Sequence, residues 1–325
     1  MSQGRPLKAI LAQTRYCPAL EEGIRKRIPV ARFAYVTPDG EVFGDVSDAE
    51  IFIAWGLEGK IIEPVIKQAT DLRWFHLMSA GVESLMFPSL RDSDTVLTNA
   101  SGVLAAPIAE SVLAVMLVAT KNLRGNFENA QRRHWERLPR KVLYGQTAGI
   151  LGLGKIGSEV ARRLKCMDMC VMGVKRRPDL AAPVAVDQIY GPDQLFNFLD
   201  RCDWVIVCAP LTPQTRHMLG EVEFRKMRQN AWFVNVSRGE VADEAALLRA
   251  LDESWISGAC LDAFAEEPLP ENSPFWNLPN VILTPHNASD SPDTIENNLE
   301  LVFDNFERFL EGRALRNIVD KEAGY

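Results

Sequence analysis

The 325-residue sequence predicts an α/β protein of two domains, with the central domain inserted into the first. Short apolar runs alternate with helical patterns from the start, which favours parallel strands covered by helices. A glycine-rich turn at 152–157 begins a second such series, and an amphipathic helix predicted over 294–310 closes the chain. The predicted boundaries are 1–100 and 288–325 for the first domain and 101–287 for the central one.

The elements follow in order. The first domain's apolar runs predict strands at 9–12, 31–36, 51–55, 74–78 and 96–98, with helices at 20–28 and 61–69. A long apolar helix over 106–123 leads into the central domain, and the basic stretch around His134 is expected to be helical. The central strands are predicted at 148–151, 170–174, 204–209, 231–236, 258–262 and 281–283, with helices over 158–164, 193–199 and, capped by Asp243, to about 254.

Composition excludes several classes of protein. A net charge of −7 argues against a general nucleic-acid binder, which would need a basic face. The N-terminus has no apolar signal core and no apolar run is long enough to cross a bilayer, so we expect a cytoplasmic protein without a membrane partner. The six cysteines form no C-x-x-C pair, which predicts mostly buried thiols rather than disulfides, and no metal site is expected.

The glycine-rich turn predicts a dinucleotide site. An apolar run from Ala148 to Leu151 ends in Gly152-x-Gly154-x-x-Gly157, and an amphipathic segment follows. Such a turn directs the free N–H groups and positive end of a helix at one spot, which suits a pyrophosphate. The glycine pattern alone is weak, but the strand at 170–174 lies at the distance of a Rossmann-type βαβ unit.

Three polar residues each follow a strand-like run, so they should meet at the carboxyl edge of one sheet: Arg238, Glu267 and His286. A guanidinium can hold the carboxylate of a 2-oxo acid, and an imidazolium can deliver a proton to its carbonyl. A nearby carboxylate would raise the pKa of that histidine. Taken singly, each has a plainer interpretation: a surface arginine, a turn histidine and a solvated acidic loop.

The sequence closely resembles the D-isomer specific 2-hydroxyacid dehydrogenase family, in particular its glyoxylate/hydroxypyruvate reductases. The resemblance lies in the glycine-rich turn and in four further segments: 208–215, Asn235 to Gly239, Asp262 to Leu269 and Thr284-Pro285-His286. Thr98 to Gly102 followed by Ile108-Ala109-Glu110 adds to the likeness. The resemblance implies a Rossmann-type dinucleotide-binding domain inserted in a flavodoxin-like substrate domain, and a homodimer built through the central domain.

The resemblance also implies site roles. Arg238 would bind substrate, His286 would be the acid/base and Glu267 its carboxylate partner, while the N–H groups of Ala80 and Gly81 would hold the substrate carboxylate. Asp262 would approach the nicotinamide carboxamide. The remaining cofactor-binding residues would be Gly152, Gly154, Lys155, Ile156, Gly157, Ala209, Pro210, Thr212, Thr215, Val236, Ser237 and His286.

Two departures from the family pattern matter. Lys175 stands 175 − 157 = 18 residues past the last motif glycine, where an acidic residue would bind the ribose of NAD. Lys175, Arg176 and Arg177 can instead bind a 2′-phosphate, so NADP(H) is the predicted cofactor, with NAD(H) as the alternative for a promiscuous enzyme. Second, a polar run from Asn287 to Ser291 follows His286, where the family has an apolar residue and then Ala-Gly.

The sequence alone does not determine the substrate, and it is compatible with two rival functions. Five apolar residues could form a wall beside the substrate or pack as ordinary core: Trp55, Leu77, Met78, Leu104 and Trp135. Small acids such as glyoxylate or hydroxypyruvate and bulkier 2-oxo acids are both compatible. Formate or phosphite dehydrogenase is disfavoured because formate dehydrogenases carry a glutamine where Glu267 stands. A nucleotide-sensing, corepressor-like protein of the same fold would keep all three polar residues.

Overall fold

The computed structural model describes residues 7–177 and 186–324. The chain forms two compact units. The first comprises Met1–Leu104 and Ser291–Tyr325, and the second is Ala105–Asp290. The second unit is therefore an insertion between the two segments of the first, and its ends lie a few residues from those expected from the sequence.

The first unit is built on a six-stranded sheet of order β3-β2-β1-β4-β5-β6. All its neighbouring strands are parallel except the β2–β3 pair. Apart from the antiparallel edge strand, this is the flavodoxin-like order. Its elements are β1 (Lys8–Ala12), α1 (Cys17–Arg27), β2 (Arg32–Val36), β3 (Val42–Phe43), β4 (Ile51–Ala54), α2 (Gly59–Gln68), β5 (Trp74–Leu77), α3 (Pro88–Arg91), β6 (Val96–Asn99) and the C-terminal helix α10 (Pro292–Glu311).

The second unit is a seven-stranded sheet of order β13-β12-β11-β10-β7-β8-β9, with every pair parallel. The order reverses between β7 and β10, as in a Rossmann fold. Its elements are α4 (Ala105–Lys121), α5 (Leu123–Gln131), β7 (Thr147–Leu151), α6 (Lys155–Lys165), β8 (Cys170–Val174), β9 (Gln188–Tyr190), α7 (Leu195–Leu199), β10 (Trp204–Val207), α8 (Glu221–Lys226), β11 (Trp232–Asn235), α9 (Glu244–Asp252), β12 (Gly258–Leu261) and β13 (Val281–Leu283).

Both sheets are buried on their two faces, which explains why their strands are continuous apolar runs. In β10, Trp204 and Ile206 pack into one apolar cluster while Val205 and Val207 pack into another. In β1, Ile10 faces one cluster and Leu11 faces another. The predicted α/β class with two parallel sheets is therefore confirmed.

Several local expectations were met and others were wrong. The Asp243 carboxylate accepts bonds from the N–H groups of Ala245 and Ala246, so it caps α9 as predicted. The helix expected around His134 is absent, since α5 ends at Gln131. Most cysteines were expected to be buried, but Cys166 and Cys170 are exposed, and all six cysteines are free.

Among the described residues, no single helix has the length and apolar character to cross a bilayer. Helices α4 and α5, which meet at a bend of 65°, reach that length and composition only as a pair.

Candidate active site

The predicted site residues of the second unit all lie just beyond the carboxyl ends of its strands. The glycine turn follows β7, Lys175 follows β8, the 208–215 loop follows β10, Arg238 follows β11, and Glu267 and His286 follow β12 and β13. Because the strands are parallel, these segments share one edge of the sheet, and the turn after β7 lies at the point where the strand order reverses. This is where ligands bind in open α/β sheets.

The glycine turn contains two glycines fixed by packing and one that faces open space. Gly152 has φ of +97°, and a Cβ there would lie 2.7 Å from Ala209 Cα. A Cβ on Gly157 would lie 2.0 Å from the Gly152 carbonyl oxygen. A Cβ on Gly154 would meet nothing within 4 Å. Gly154 therefore leaves room for a ligand at the start of α6, whose first turn carries no acidic residue.

The basic segment follows β8 directly. The Lys175 N–H donates to Tyr190 O at 3.0 Å, which fixes the backbone at the end of the strand. Arg176 and Arg177 are exposed. An acidic side chain for ribose recognition is therefore replaced at this edge by three cations.

The loop after β10 is held by its own hydroxyl groups. Thr215 Oγ1 accepts from the Thr212 N–H at 2.8 Å and lies 2.6 Å from Pro210 O, to which it donates. Ser237 Oγ donates to Ala209 O, which ties the end of β11 to this loop. Five of the predicted cofactor residues, Ala209, Pro210, Thr212, Thr215 and Ser237, thus form one connected rim next to Gly152.

The turn that carries Arg238 is braced by a buried asparagine. Asn235 Nδ2 donates to Arg238 O at 2.9 Å, and its Oδ1 accepts from the Ser237 N–H at 3.0 Å. The next residue, Gly239, lies so close to the β12 loop that a Cβ there would be 2.0 Å from Phe264 C. The Arg238 turn therefore packs directly against the loop that leads to Glu267.

Glu267 and His286 form a hydrogen-bonded pair, with Glu267 Oε2 at 2.7 Å from His286 Nδ1. The other carboxylate oxygen accepts from the Phe264 N–H at 2.8 Å. Both side chains are part-exposed, at 35% and 42%. His286 has φ of +49°, a left-handed conformation that is uncommon outside glycine and often found at functional sites.

The pKa values of this pair move apart. The hydrogen bond to Glu267 raises the pKa of His286 above its ordinary value, although burial and the charge of Arg238 oppose this. Burial alone would raise the pKa of Glu267, but its bonds to His286 and Phe264 and the charge of Arg238 lower it overall. The arrangement favours a protonated imidazole beside an ionised carboxylate, close enough to the guanidinium for its charge to act on both.

Two further carboxyl groups brace this site, the buried Asp262 and the half-buried Glu244. Asp262 Oδ1 accepts from Thr284 Oγ1 at 2.6 Å and Oδ2 from the Ala288 N–H at 3.1 Å, so it fixes the segment that carries His286. Glu244 Oε1 accepts from the Ala265 N–H at 2.7 Å. Burial raises the pKa of Glu244, although the bond from Ala265 opposes this.

In the first unit, the loop after β5 holds the predicted carboxylate-binding N–H groups. Asn99 Nδ2 donates to Ala80 O at 2.7 Å, and Asn298 Nδ2 donates to Met78 O at 2.9 Å. Ala80 and Gly81 are half-buried. The two asparagine side chains occupy the carbonyl groups of the loop and keep its backbone in a fixed orientation.

Two other histidines, His76 and His134, differ from His286. His76 is fully buried and burial lowers its pKa to about 3, so it is neutral near pH 7. His134 is exposed, with Nε2 at 3.5 Å from Glu136 Oε2.

The five apolar residues considered for a substrate wall differ in their burial. Leu77, Met78 and Leu104 are buried, which favours the core interpretation for them, and Trp55 is half-buried. Trp135 is 98% exposed, so neither core packing nor a wall describes it within its own chain.

Residues 113–288 match the family model described as D-isomer specific 2-hydroxyacid dehydrogenase, NAD binding domain. The chain is 33% identical to the glyoxylate reductase of Korarchaeum cryptofilum over 85% of this chain and 84% of that one. A D-isomer specific 2-hydroxyacid dehydrogenase from Xanthobacter autotrophicus, solved in complex with NADPH and MES, has a TM-score of 0.83 at 26% identity, covering 99% of this chain and 100% of that one.

An NADPH-dependent glyoxylate/hydroxypyruvate reductase from Sinorhizobium meliloti, solved with NADP and sulfate, has a TM-score of 0.82 at 27% identity over 99% of this chain and 100% of that one. The chain therefore belongs to the D-isomer specific 2-hydroxyacid dehydrogenase family.

Proposed function

We propose that the protein reduces a 2-oxo acid to the D-2-hydroxy acid with NADPH, or catalyses the reverse reaction. The observation that carries this proposal is the 2.7 Å contact between His286 Nδ1 and Glu267 Oε2 beside Arg238, at the carboxyl edge of a Rossmann-type sheet. The reductases named among the relatives and the NADPH and NADP complexes of two similar structures support it.

In this proposal the three side chains divide the work on the substrate. Arg238 binds the substrate carboxylate with its planar fork and polarises the neighbouring carbonyl. His286 donates its Nε2 proton to the carbonyl oxygen as the carbon is reduced, which leaves a hydroxyl group and a neutral imidazole. Glu267 fixes the ring through Nδ1 and stabilises its protonated form. The N–H groups of Ala80 and Gly81 stay predicted ligands of the carboxylate.

The residues of the second unit fit a dinucleotide, because Gly154 leaves open the space that a Cβ would fill. Its pyrophosphate would lie at the 152–157 turn, which includes Lys155 and Ile156 at the start of α6. The rim formed by Ala209, Pro210, Thr212, Thr215 and Ser237, together with Val236 and Asp262, would hold the remainder. When bound, the reduced nicotinamide supplies the hydride.

The basic segment supports a preference for the phosphorylated cofactor. Replacing Arg176 with alanine should raise the KM for NADPH about tenfold or more, because a charge-assisted bond to the 2′-phosphate is lost. The KM for NADH should change little, since NADH lacks that phosphate. Steady-state kinetics with both cofactors checks this. As a control, Arg162→Ala removes an exposed arginine of α6 that pairs with Glu159, and it should leave both KM values unchanged. Equal effects of Arg176→Ala on the KM values for NADPH and NADH would refute the assignment.

The proposed proton donor also predicts a pH dependence. Reduction requires protonated His286, so kcat/KM for the 2-oxo acid should be full at low pH and fall as pH rises through the raised pKa of His286. Glu267→Gln removes the main cause of that raised pKa, so the fall should move to lower pH. Glu266→Gln, at the exposed neighbouring residue, should leave the profile in place. An unmoved profile in Glu267→Gln contradicts the pairing.

The overall activity is tested by NADPH and NADH oxidation against a panel of 2-oxo acids: glyoxylate, hydroxypyruvate and 2-oxoisocaproate. We expect turnover with NADPH on at least one of them. If none is reduced while NADPH still binds, the proposal fails in favour of a nucleotide-sensing protein.

We propose a cytoplasmic homodimer formed through the central domain. Exposed apolar side chains in and after α5, at Phe127, Trp135, Val142 and Tyr144, support an interface there.

A further inference from the structure

Arg15 lies against two aromatic rings just beyond the end of β1. Its guanidinium carbon is 4.9 Å from the centroid of the Tyr16 ring and 4.8 Å from that of the Trp55 ring. The two rings meet edge to face at 4.5 Å. Tyr16 is buried and Trp55 half-buried, whereas Arg15 is exposed. Stacking of this kind orients a guanidinium while its N–H groups stay available for a ligand.

The sheet places this cluster next to the loop of Ala80 and Gly81. β4 lies between β1 and β5, and all three run parallel. The Met78 N–H donates to Ala54 O at 2.9 Å, so Trp55 lies beside the chain as it enters that loop. Neighbouring strands are about 4.8 Å apart, so two spacings separate β1 from β5 by roughly 10 Å.

Arg15 differs from the other stacked arginines of this unit in its charge environment. Arg25, Arg27 and Arg73 each lie over an aromatic ring and each pairs with a carboxylate. Over residues 7–177 and 186–324, Arg15 has no hydrogen bond or ion pair. Its positive charge is therefore available to a ligand at the carboxyl edge of the sheet.

We propose that Arg15 determines substrate specificity by binding a second anionic group, a carboxylate or a phosphate, at the far end of the 2-oxo acid. This rests on the proposed function, in which the N–H groups of Ala80 and Gly81 are predicted ligands of the C1 carboxylate. A five-carbon 2-oxo diacid has the length to extend from that loop towards Arg15. Glyoxylate has no carbon beyond its aldehyde group and no second anionic group, so it cannot use the contact.

The test compares four substrates in wild type and Arg15→Ala: glyoxylate, the neutral-tailed 2-oxohexanoate, 2-oxoglutarate and 3-phosphohydroxypyruvate. In wild type, at least one of the two substrates with a second anionic group should have a higher kcat/KM than 2-oxohexanoate. Arg15→Ala should lower that value about tenfold or more, mainly through KM, and leave glyoxylate unchanged. Whichever substrate responds identifies the group as carboxylate or phosphate. Arg15→Lys should recover part of the loss, because it keeps the charge but not the planar stacking.

Arg73→Ala is the matched control. Arg73 also stacks, at 4.9 Å from the Phe309 centroid, but it precedes β5 at the opposite edge of the sheet and pairs with Glu50. It should leave all four substrates unchanged. A wild type that prefers 2-oxohexanoate over both charged substrates, or an Arg15→Ala variant that affects glyoxylate equally, would overturn the inference. If wild type reduces no 2-oxo acid at all, the proposed function itself has failed.

Discussion

Replacing His286 with alanine is expected to lower kcat for 2-oxo acid reduction by about 10²- to 10⁴-fold, the range that general acid catalysis supplies. The reason is that His286 is the proposed proton donor. Its Nδ1 lies 2.7 Å from Glu267 Oε2, and that hydrogen bond raises the pKa of the imidazole. His76 cannot replace it, because burial lowers its pKa to about 3. The Kd for NADPH should change little, because His286 is only one of the predicted cofactor-binding residues and the glycine turn and its rim are untouched. Stopped-flow kinetics of 2-oxo acid reduction measures the loss of rate, and fluorescence titration with NADPH measures the Kd.

His134→Ala is the matched control for this variant. His134 is an exposed histidine of the same unit that pairs only with Glu136 among the described residues. It should keep wild-type kcat. A fully active His286→Ala variant would show that the proton donor is misassigned.

Arg238→Ala should lower kcat/KM by about 10²- to 10³-fold, the cost of losing one group that stabilises the developing charge at a reacting carbonyl. Both KM and kcat should suffer, because the same guanidinium binds the carboxylate and polarises the carbonyl. The variant should fold, since Asn235 braces this turn through backbone groups that alanine retains. Arg238→Lys should recover only part of the loss, because a lysine lacks the planar fork.

Arg216→Ala is the control, as Arg216 is an exposed arginine that pairs with Glu240 at 2.7 Å. Steady-state kinetics with saturating NADPH compares kcat/KM in the two variants, and Arg216→Ala should keep the wild-type value. An Arg238→Ala variant that lost activity only by unfolding, judged by circular dichroism, would give no support to the role. Wild-type kcat/KM in a folded variant would contradict it.

The fold was largely predictable because its strands are apolar runs separated by turn residues, which is the pattern of a sheet buried on both faces. Among the described residues, the two strands that escaped prediction are short, as are two of the missed helices, α3 and α8. Val42–Phe43 is an exposed two-residue edge strand, and Gln188–Tyr190 has three residues. Neither is long enough for a period to be read. The helix expected around His134 was wrong because charge alone does not stabilise a helix that has no apolar face to bury.

The polar residues of the candidate site were visible in the sequence because each follows an apolar run. Their supports were not. Asn99 holds the Ala80 carbonyl across 19 residues, and Asp262 accepts from groups 22 to 26 residues away. These bonds depend on which strands are neighbours, and no local pattern carries that information. The same is true of Arg15 and Trp55, which meet only because β1 and β4 pair.

The central claim is that Glu267 and His286 act as one unit on the substrate. A double-mutant cycle of Glu267→Gln and His286→Ala, read as kcat/KM for the best 2-oxo acid with NADPH, tests it most directly. If the carboxylate acts through the imidazole, the double variant should be no slower than His286→Ala alone. If the two losses multiply, the residues act independently and the account is contradicted.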